Sequence, residues 1–194
     1  CIECTRRALD LAVRNKSRLH ILHISTADEI EMIKEARKAN PLIEGEVCVH
    51  YMWFNSNDYP KYGSHMKCNP AIKSANDREA LRRAVSEGKI DLIGTDHAPH
   101  HPDDKKGGAL KAASGMPSIQ FSLLAMLNLV DEKHFTIEEL VEKMCHAPAT
   151  IFDIDKRGYI TKGYHADFVL LAPNQPHTIE KSDIISLCGW SPFE

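Results

Sequence analysis

The sequence predicts an α/β protein in which helices cover a parallel β-sheet. Three short runs of nearly continuous apolar residues have the length of buried strands, and segments with apolar residues at helical spacing separate them. Strands without a polar face are typical of parallel sheets, because helices cover both faces of such a sheet. The alternation of helix and strand along the first half of the chain therefore favours a parallel α/β architecture.

The elements of this architecture follow in order along the first half of the chain. Strands are predicted over residues 18–24, 45–54 and 90–93. Helices are predicted over residues 3–16, 28–39 and 77–87. Ser25 and Thr26 precede two acids, a pattern typical of a helix start, and Pro41 and Gly88 follow the predicted ends of the second and third helices.

The second half of the chain changes character near Gly158. Residues 105–115 form a loop rich in Gly and Lys, and helices are predicted over residues 119–130 and 137–145. Turns and short apolar runs follow, with a strand expected over residues 166–171. We therefore expect one domain over residues 1–157 and the start of a β-rich appendage over residues 158–194.

The composition bounds the class of protein. The chain has 194 residues, of which 43% are hydrophobic and 26% charged, as in soluble globular proteins. A net charge of −3 argues against nucleic-acid binding, and no apolar run approaches the roughly 20 residues of a membrane span. The six cysteines are scattered, as in cytosolic proteins with free thiols, which predicts a cytoplasmic location. Cys1 and Cys4 form a CxxC, but no second CxxC completes a structural zinc site.

The third predicted strand runs into an unusual cluster of polar residues. The segment IDLIGTDHAPHHPDDK, residues 90–105, places Asp96 and three histidines directly after the apolar run. One interpretation is a solvated loop, and the other is an active site at the carboxyl end of a strand. His23 ends the first strand in the same way. Imidazole and carboxylate are both ligands of Zn²⁺, so His23 and Asp96 could meet at one metal.

Four motifs resemble those of one enzyme family. GTDHAPHHPDDK, residues 94–105, resembles the G-T-D-x-A-P-H-x-x-x-x-K signature of dihydroorotases. LHILHIST at 19–26 resembles the sixth-strand motif of that family, and KCNP at 67–70 resembles its substrate loop. CGWSPFE at 188–194 resembles its late W-S-P-F motif. The order and spacing of all four match, so the resemblance extends over essentially the whole chain.

The resemblance implies that the chain is one part of a larger barrel fold. Dihydroorotases belong to the amidohydrolase superfamily of (β/α)₈ TIM barrels, which have a metal centre at the carboxyl face of the barrel. The three predicted strands would be strands 6–8, so the chain would be the C-terminal part of such a barrel with the start of a small β appendage. One or two zinc ions are expected per full-length subunit. The H-x-H pair, the bridging carboxylated Lys or Asp and a further His would lie outside this chain, and we expect the fragment alone to be inactive.

The resemblance also implies roles for individual residues. His23 would bind the more exposed zinc, whereas Asp96 would bind the other zinc and act as the catalytic base. Asn69, His100 and the Ser114–Gly115 stretch map to positions that contact substrate. Ser114 is smaller than the residue expected there, so its contact would be made through the backbone.

The implied reaction is the reversible cyclisation of N-carbamoyl-L-aspartate to L-dihydroorotate in de novo pyrimidine biosynthesis. Zinc lowers the pKa of a bound water towards ~7 and polarises the carbonyl that this water attacks. Asp96 would move the proton to the leaving amide nitrogen. His100 would hold the substrate carboxylate, and Asn69 would offer a donor and an acceptor to the ring amide.

Two other functions stay open. The chain could belong to another cyclic amidohydrolase, such as a hydantoinase, dihydropyrimidinase or allantoinase, although His100 suits a substrate with a carboxylate. It could also be a non-catalytic dihydroorotase-like partner of aspartate transcarbamoylase. A homodimer of the full-length enzyme is expected. His50 would have a structural or supporting role, His97 would buttress Asp96, and His101 would be a loop residue.

Overall fold

The chain folds around a three-stranded parallel sheet. The computed structural model describes residues 1–173 and 175–193, so Asn174 and Glu194, both in the predicted appendage, lie outside the described residues. The strands are β1 (Leu19–Ile21), β2 (Ile43–Cys48) and β3 (Leu92–Gly94), in the order β1-β2-β3. Both pairings are parallel, which confirms the predicted α/β class with a parallel sheet.

Helices make up much of the rest of the described chain. The α-helices are α1 (Ile2–Asn15), α2 (Ala27–Ala39), α3 (Val49–Trp53), α4 (Tyr59–Tyr62), α5 (Ala75–Ser86), α6 (Gly108–Lys111), α7 (Ser122–Asp131), α8 (Ile137–Val141) and α9 (Ala147–Ile151). Short 3₁₀ segments lie at Ser56–Asp58, Gly63–Met66, Ile119–Phe121 and Lys181–Asp183, and a π-helical turn at Glu142–His146 joins α8 to α9. Within the described ranges, no helix combines the length and apolarity that a bilayer crossing requires.

The loop between β1 and α2 is fixed by a buried carboxylate. Thr26 caps α2, since its side chain accepts a hydrogen bond from the backbone N–H of Glu29, as the sequence predicts for this helix start. Glu29 is only 3% exposed and accepts hydrogen bonds from the hydroxyl groups of Thr5, Ser25 and Thr26. These bonds join α1 and α2 to the segment that follows β1.

Gly45 in β2 leaves room for the segment between β1 and α2. A Cβ atom at Gly45 would lie 2.6 Å from Cδ1 of Ile24, so the Ile24 side chain would have to shift, whereas Cδ1 of Ile33 in α2 would be in ordinary van der Waals contact at 3.5 Å. Side chains alternate along a strand. Glu44 and Glu46 therefore point to the opposite face, where Glu46 contacts the ring of His20 at 3.2 Å.

The predicted second strand is only half correct. Residues 43–48 are extended, but Val49–Trp53 form α3, where the sequence suggested a continuous strand to residue 54. The run VCVHYMWF is apolar apart from His50, and His50, Tyr51 and Met52 are buried in the helical conformation. Periodicity cannot separate a buried strand from a buried helical turn, because both are apolar on all sides.

The predicted strand at 166–171 is absent from the structure. These residues have no regular structure, and Val169 and Leu170 are 72% and 98% exposed. A strand needs a neighbour for its backbone hydrogen bonds, and no described residue pairs with this segment. A β-rich character of the appendage is therefore not observed. The domain division after residue 157 and the assignment of β1–β3 as barrel strands 6–8 stay predictions.

Candidate active site

Each strand places one ionisable side chain at the same position beyond its end. His23 lies two residues after β1, His50 two residues after β2 and Asp96 two residues after β3. Since the strands are parallel, their carboxyl ends share one edge of the sheet, which is where α/β folds bind ligands. The structure thus brings the two predicted metal ligands, His23 and Asp96, to one edge.

The backbone at His23 and Asp96 is strained in the same way. Their φ angles are +41° and +44°, in the left-handed region that side chains other than glycine rarely adopt. Neither side chain forms a hydrogen bond or ion pair with another described residue. His23 is half-buried and Asp96 is exposed. Strained residues with free polar side chains are concentrated at functional sites, which motivates a functional role for both.

His50 has a more prominent place than the sequence suggested. Its side chain is fully buried, and neither ring nitrogen has a hydrogen-bond partner among the described residues. Burial, with a smaller contribution from nearby His23, lowers the pKa of His50 to about 3. Buried polar atoms are rarely left unpaired. The common spacing from the strand ends is the signal that could have grouped His50 with His23 and Asp96.

The residues present fit part of a zinc site. A carboxylate and an imidazole are the right donor types, and neither forms a hydrogen bond or ion pair with a residue that the structure describes. A catalytic zinc normally has three protein ligands, however, and no group of three or more His, Cys, Asp or Glu within residues 1–173 and 175–193 could hold a metal. His23 and Asp96 therefore suit zinc as two ligands of a larger ligand set.

Three residues that were predicted to contact substrate, Asn69, His100 and Ser114, are joined by hydrogen bonds. The side-chain amide of Asn69 donates to the Ser114 hydroxyl at 3.0 Å, and His100 Nε2 lies 2.9 Å from the Ser114 carbonyl oxygen. These residues come from the loop after β2 and from the two ends of the loop after β3. The structure therefore brings Asn69, His100 and Ser114 into one hydrogen-bonded group.

Gly115 allows the segment that contains Ser114 to lie close to Ala98 and His100. Its φ is +120°, and a Cβ atom there would lie 2.4 Å from the Cβ of Ala98 and 3.5 Å from Nε2 of His100. Its N–H donates to the Lys67 carbonyl at 2.8 Å, which links it to the segment before Asn69. Only glycine combines this backbone conformation with such a close approach.

The C-terminal motif returns to the same region. The indole N–H of Trp190 donates to the His100 carbonyl at 2.8 Å, and the Trp190 ring packs edge-on against His65 at 5.1 Å. Trp190 itself is 6% exposed. The late motif thus supports the backbone of the loop that contains His100.

Two buried thiols and a phenol lie near Asp96. Burial raises the pKa of Cys68 to about 11, with an added contribution from the negative charge of Asp96. Burial and the charges of Glu46 and Asp96 likewise raise the pKa of Cys48 well above its usual range. The Tyr51 hydroxyl donates to the Pro70 carbonyl at 2.6 Å. At neutral pH these groups are uncharged, and they form a buried, uncharged cluster beside Asp96.

The remaining candidates have loop contacts. His97 Nδ1 accepts from the Ile119 backbone N–H at 3.2 Å and makes no hydrogen bond to Asp96 in the described chain, so the expected support of Asp96 by His97 stays a prediction. His101 is a loop residue that contacts Asp103. Cys1 and Cys4 are exposed free thiols at the start of the chain.

Comparisons with known proteins agree on one broad family. The sequence profile of the amidohydrolase family matches residues 9–187. A dihydroorotase from Methanosphaera stadtmanae is 34% identical over 189 residues, which is 97% of this chain and 43% of that protein. An allantoinase from Bacillus velezensis is 32% identical over 99% of this chain and 42% of its own length. The chain therefore spans less than half the length of these relatives.

Solved structures give the same fold. An L-hydantoinase from Arthrobacter aurescens matches with a TM-score of 0.94 and 31% identity, over 100% of this chain and 44% of that protein. A Saccharomyces cerevisiae dihydroorotase in complex with 5-fluoroorotic acid matches with a TM-score of 0.69 and 19% identity, over 78% of this chain and 43% of that protein. The second likeness shows the fold alone.

Proposed function

The chain belongs to the amidohydrolase family, and from that membership we propose that its full-length protein is a zinc-dependent dihydroorotase. It would interconvert N-carbamoyl-L-aspartate and L-dihydroorotate in pyrimidine biosynthesis. Dihydroorotases of several organisms, at 33–35% identity over nearly all of this chain, support the substrate class.

The observation that carries the proposal is the contact of Asn69 and His100 with Ser114. Hydrogen bonds of 3.0 Å and 2.9 Å bring together three residues that are distant in sequence, beside the strand end with Asp96. An imidazole and a carboxamide offer donors and acceptors to a small ring that has an amide and a carboxylate. Dihydroorotate is such a molecule.

His23 and Asp96 would hold zinc together with ligands from the rest of the protein. When bound, zinc lowers the pKa of a coordinated water and polarises a carbonyl oxygen. Both side chains lack hydrogen bonds and ion pairs in the described chain, and both follow strands that are paired in the parallel sheet. This arrangement suits ligands that must be in place before substrate binds.

Asp96 would act as the proton carrier. In the hydrolytic direction its carboxylate takes a proton from the attacking water as the new C–O bond forms at the ring amide carbonyl. It then delivers that proton to the amide nitrogen as the C–N bond breaks. The lack of hydrogen bonds to Asp96 from the described residues leaves both of its oxygens available for this transfer. His100 would orient the substrate carboxylate, and Asn69 the ring amide.

We also propose a location, an oligomeric state and a partner for the enzyme. We expect a cytoplasmic enzyme that forms a homodimer, with aspartate transcarbamoylase as a candidate partner. No role in nucleic-acid or membrane binding is proposed. Residues 1–194 alone should be inactive, because they supply only two of the expected zinc ligands; zinc-dependent turnover by that segment in isolation would contradict this.

Hydantoinase or allantoinase activity is the second candidate. The observation that favours it is the TM-score of 0.94 to an L-hydantoinase that is 31% identical to this chain. Hydantoin and allantoin share the cyclic amide with dihydroorotate but lack its carboxylate, so His100 would have a different partner in such an enzyme.

A substrate panel separates the candidates. We expect the zinc-loaded full-length protein to open dihydroorotate with a kcat/KM at least tenfold above those for hydantoin, allantoin and dihydrouracil. His100→Gln should raise the KM for dihydroorotate about tenfold, whereas His101→Gln, a change at an exposed neighbour, should not. Preference for hydantoin would favour the second candidate. A folded protein without zinc or turnover would favour a non-catalytic partner of aspartate transcarbamoylase.

A further inference from the structure

Lys105 is a buried cation whose side-chain hydrogen bonds within the described chain all go to backbone carbonyls. Its side chain is 1% exposed. Its Nζ atom donates to the carbonyl oxygens of Lys67 at 3.0 Å, Ala113 at 2.8 Å and Gly115 at 2.8 Å. An ammonium group has three protons, so these contacts use its full hydrogen-bonding capacity.

No acidic residue of the described chain forms an ion pair with Lys105. Besides the three carbonyls, the Trp190 ring lies near the ammonium group, with its centroid 5.8 Å from Nζ. Lysine is almost never fully buried unless it is paired. Burial lowers the pKa of Lys105 to about 8, with a smaller contribution from Lys67 and an opposing one from Cys68. The three carbonyls therefore have to compensate for the lost hydration.

The three carbonyls belong to the loops that hold the substrate-contacting residues. Lys67 lies two residues before Asn69, while Ala113 and Gly115 flank Ser114. Lys105 itself lies five residues after His100, and its own carbonyl accepts a hydrogen bond from the Ser64 hydroxyl. One ammonium group therefore joins the loop after β2 to the end of the loop after β3 that contains Ser114.

We propose that Lys105 is a positioning residue that holds Asn69, His100 and Ser114 in the geometry that binds substrate. This inference rests on the proposed function of the same site. Lys105 reaches no substrate itself, because its three protons are already engaged. It acts through the backbone, and its loss should weaken substrate binding more than the chemical step at Asp96.

The kinetic test uses the zinc-loaded full-length enzyme and its preferred substrate from the panel above. Lys105→Met removes all three donors at similar side-chain length, and we expect KM to rise at least tenfold while kcat changes less than threefold. Lys105→Arg keeps a cation but cannot direct three protons to the same oxygens, so its KM should lie between those of the wild type and Lys105→Met. Lys106→Met, an exposed neighbour paired with Asp103, should match the wild type.

Amide hydrogen exchange tests the same inference without substrate. Residues 67–70 and 112–116 should exchange at least tenfold faster in Lys105→Met, whereas the strand β2 should be unchanged. If Lys105→Met does not fold, KM and amide hydrogen exchange are measured on Lys105→Arg instead. Unchanged KM and unchanged exchange in a folded variant would overturn the inference, as would a loss confined to kcat. Failure to open dihydroorotate would count against the proposed function alone, since exchange does not depend on it.

Discussion

His23 and Asp96 occupy equivalent positions on two strands of one sheet. Each lies two residues beyond the end of its strand, and their φ angles differ by only 3°, at +41° and +44°. Both side chains are free of partners in the described chain. A repeated strained backbone at the carboxyl edge of a parallel sheet is expected where side chains must be presented to a ligand rather than packed.

Gly115→Ala should damage the substrate loop. The new methyl group would meet the Cβ of Ala98 at 2.4 Å, and the φ of +120° would be strained as well. We expect a loss of about 1–3 kcal/mol in the free energy of unfolding and a raised KM. Thermal unfolding and steady-state kinetics of the full-length enzyme measure both.

A second glycine provides the control for that change. Gly108 also has a positive φ, +69°, but nothing lies within 4 Å of the position that an added methyl group would take. Gly108→Ala should therefore cost some stability and leave KM unchanged. Equal effects of the two changes on KM would show that the close approach to Ala98 does not shape the site.

His50 should make the protein sensitive to acid. Its pKa in the folded protein is lowered to about 3, whereas an unfolded His titrates near 6.5. Between these values the unfolded chain binds more protons, so stability is present above pH ~6.5 and is lost as the pH falls towards 3. The contribution lost at pH 4 is as much as about 3 kcal/mol.

Urea unfolding at pH 7 and pH 4 measures this effect. His50→Leu removes the titrating group and should reduce the difference in unfolding free energy between the two pH values. A variant that loses as much stability as the wild type would assign the acid sensitivity to other groups.

The cysteines should divide into two reactivity classes. Three thiols are exposed, at Cys1, Cys4 and Cys145, and three are buried, at Cys48, Cys68 and Cys188. Burial keeps reagents from all three buried thiols, and the raised pKa values of Cys48 and Cys68, the latter about 11, also disfavour their reactive thiolate forms, so the buried class should stay unlabelled in the folded protein at pH 8. Peptide-resolved labelling of the full-length protein, folded and in urea, checks this. Rapid labelling of Cys68 in the folded protein would contradict the packing behind Asp96.

The sequence predicts some parts of this fold well for clear physical reasons. The caps and periodicity of α2 define that helix, because local hydrogen bonds at Thr26 determine where it begins. The apolar runs locate all three strands. The switch from β2 to α3 is not predictable from periodicity, since residues 49–53 are apolar in either conformation. The strand expected at 166–171 fails for another reason: a strand depends on a partner, and the local sequence does not reveal whether one is present.

The candidate site also has residues that the sequence predicts and residues that only the tertiary structure reveals. Asp96 and His23 can be proposed from the sequence because each follows an apolar run that predicts a strand, and the carboxyl ends of parallel strands are where ligands bind. The contact of Asn69 and His100 with Ser114 depends on tertiary structure, and here only the resemblance to dihydroorotases predicted that these residues belong together. The roles of Lys105 and His50 require burial and missing partners to be known, which no local pattern provides.

The central claim is that Asp96 moves the proton in a zinc-dependent opening of dihydroorotate. The most direct measurement is dihydroorotate hydrolysis by the full-length protein, wild type against Asp96→Asn, with zinc content determined on both and Asp103→Asn as an exposed control. We expect a folded Asp96→Asn variant whose kcat falls about 10²–10⁴-fold, with Asp103→Asn unaffected. A zinc-loaded Asp96→Asn variant with wild-type kcat would contradict it.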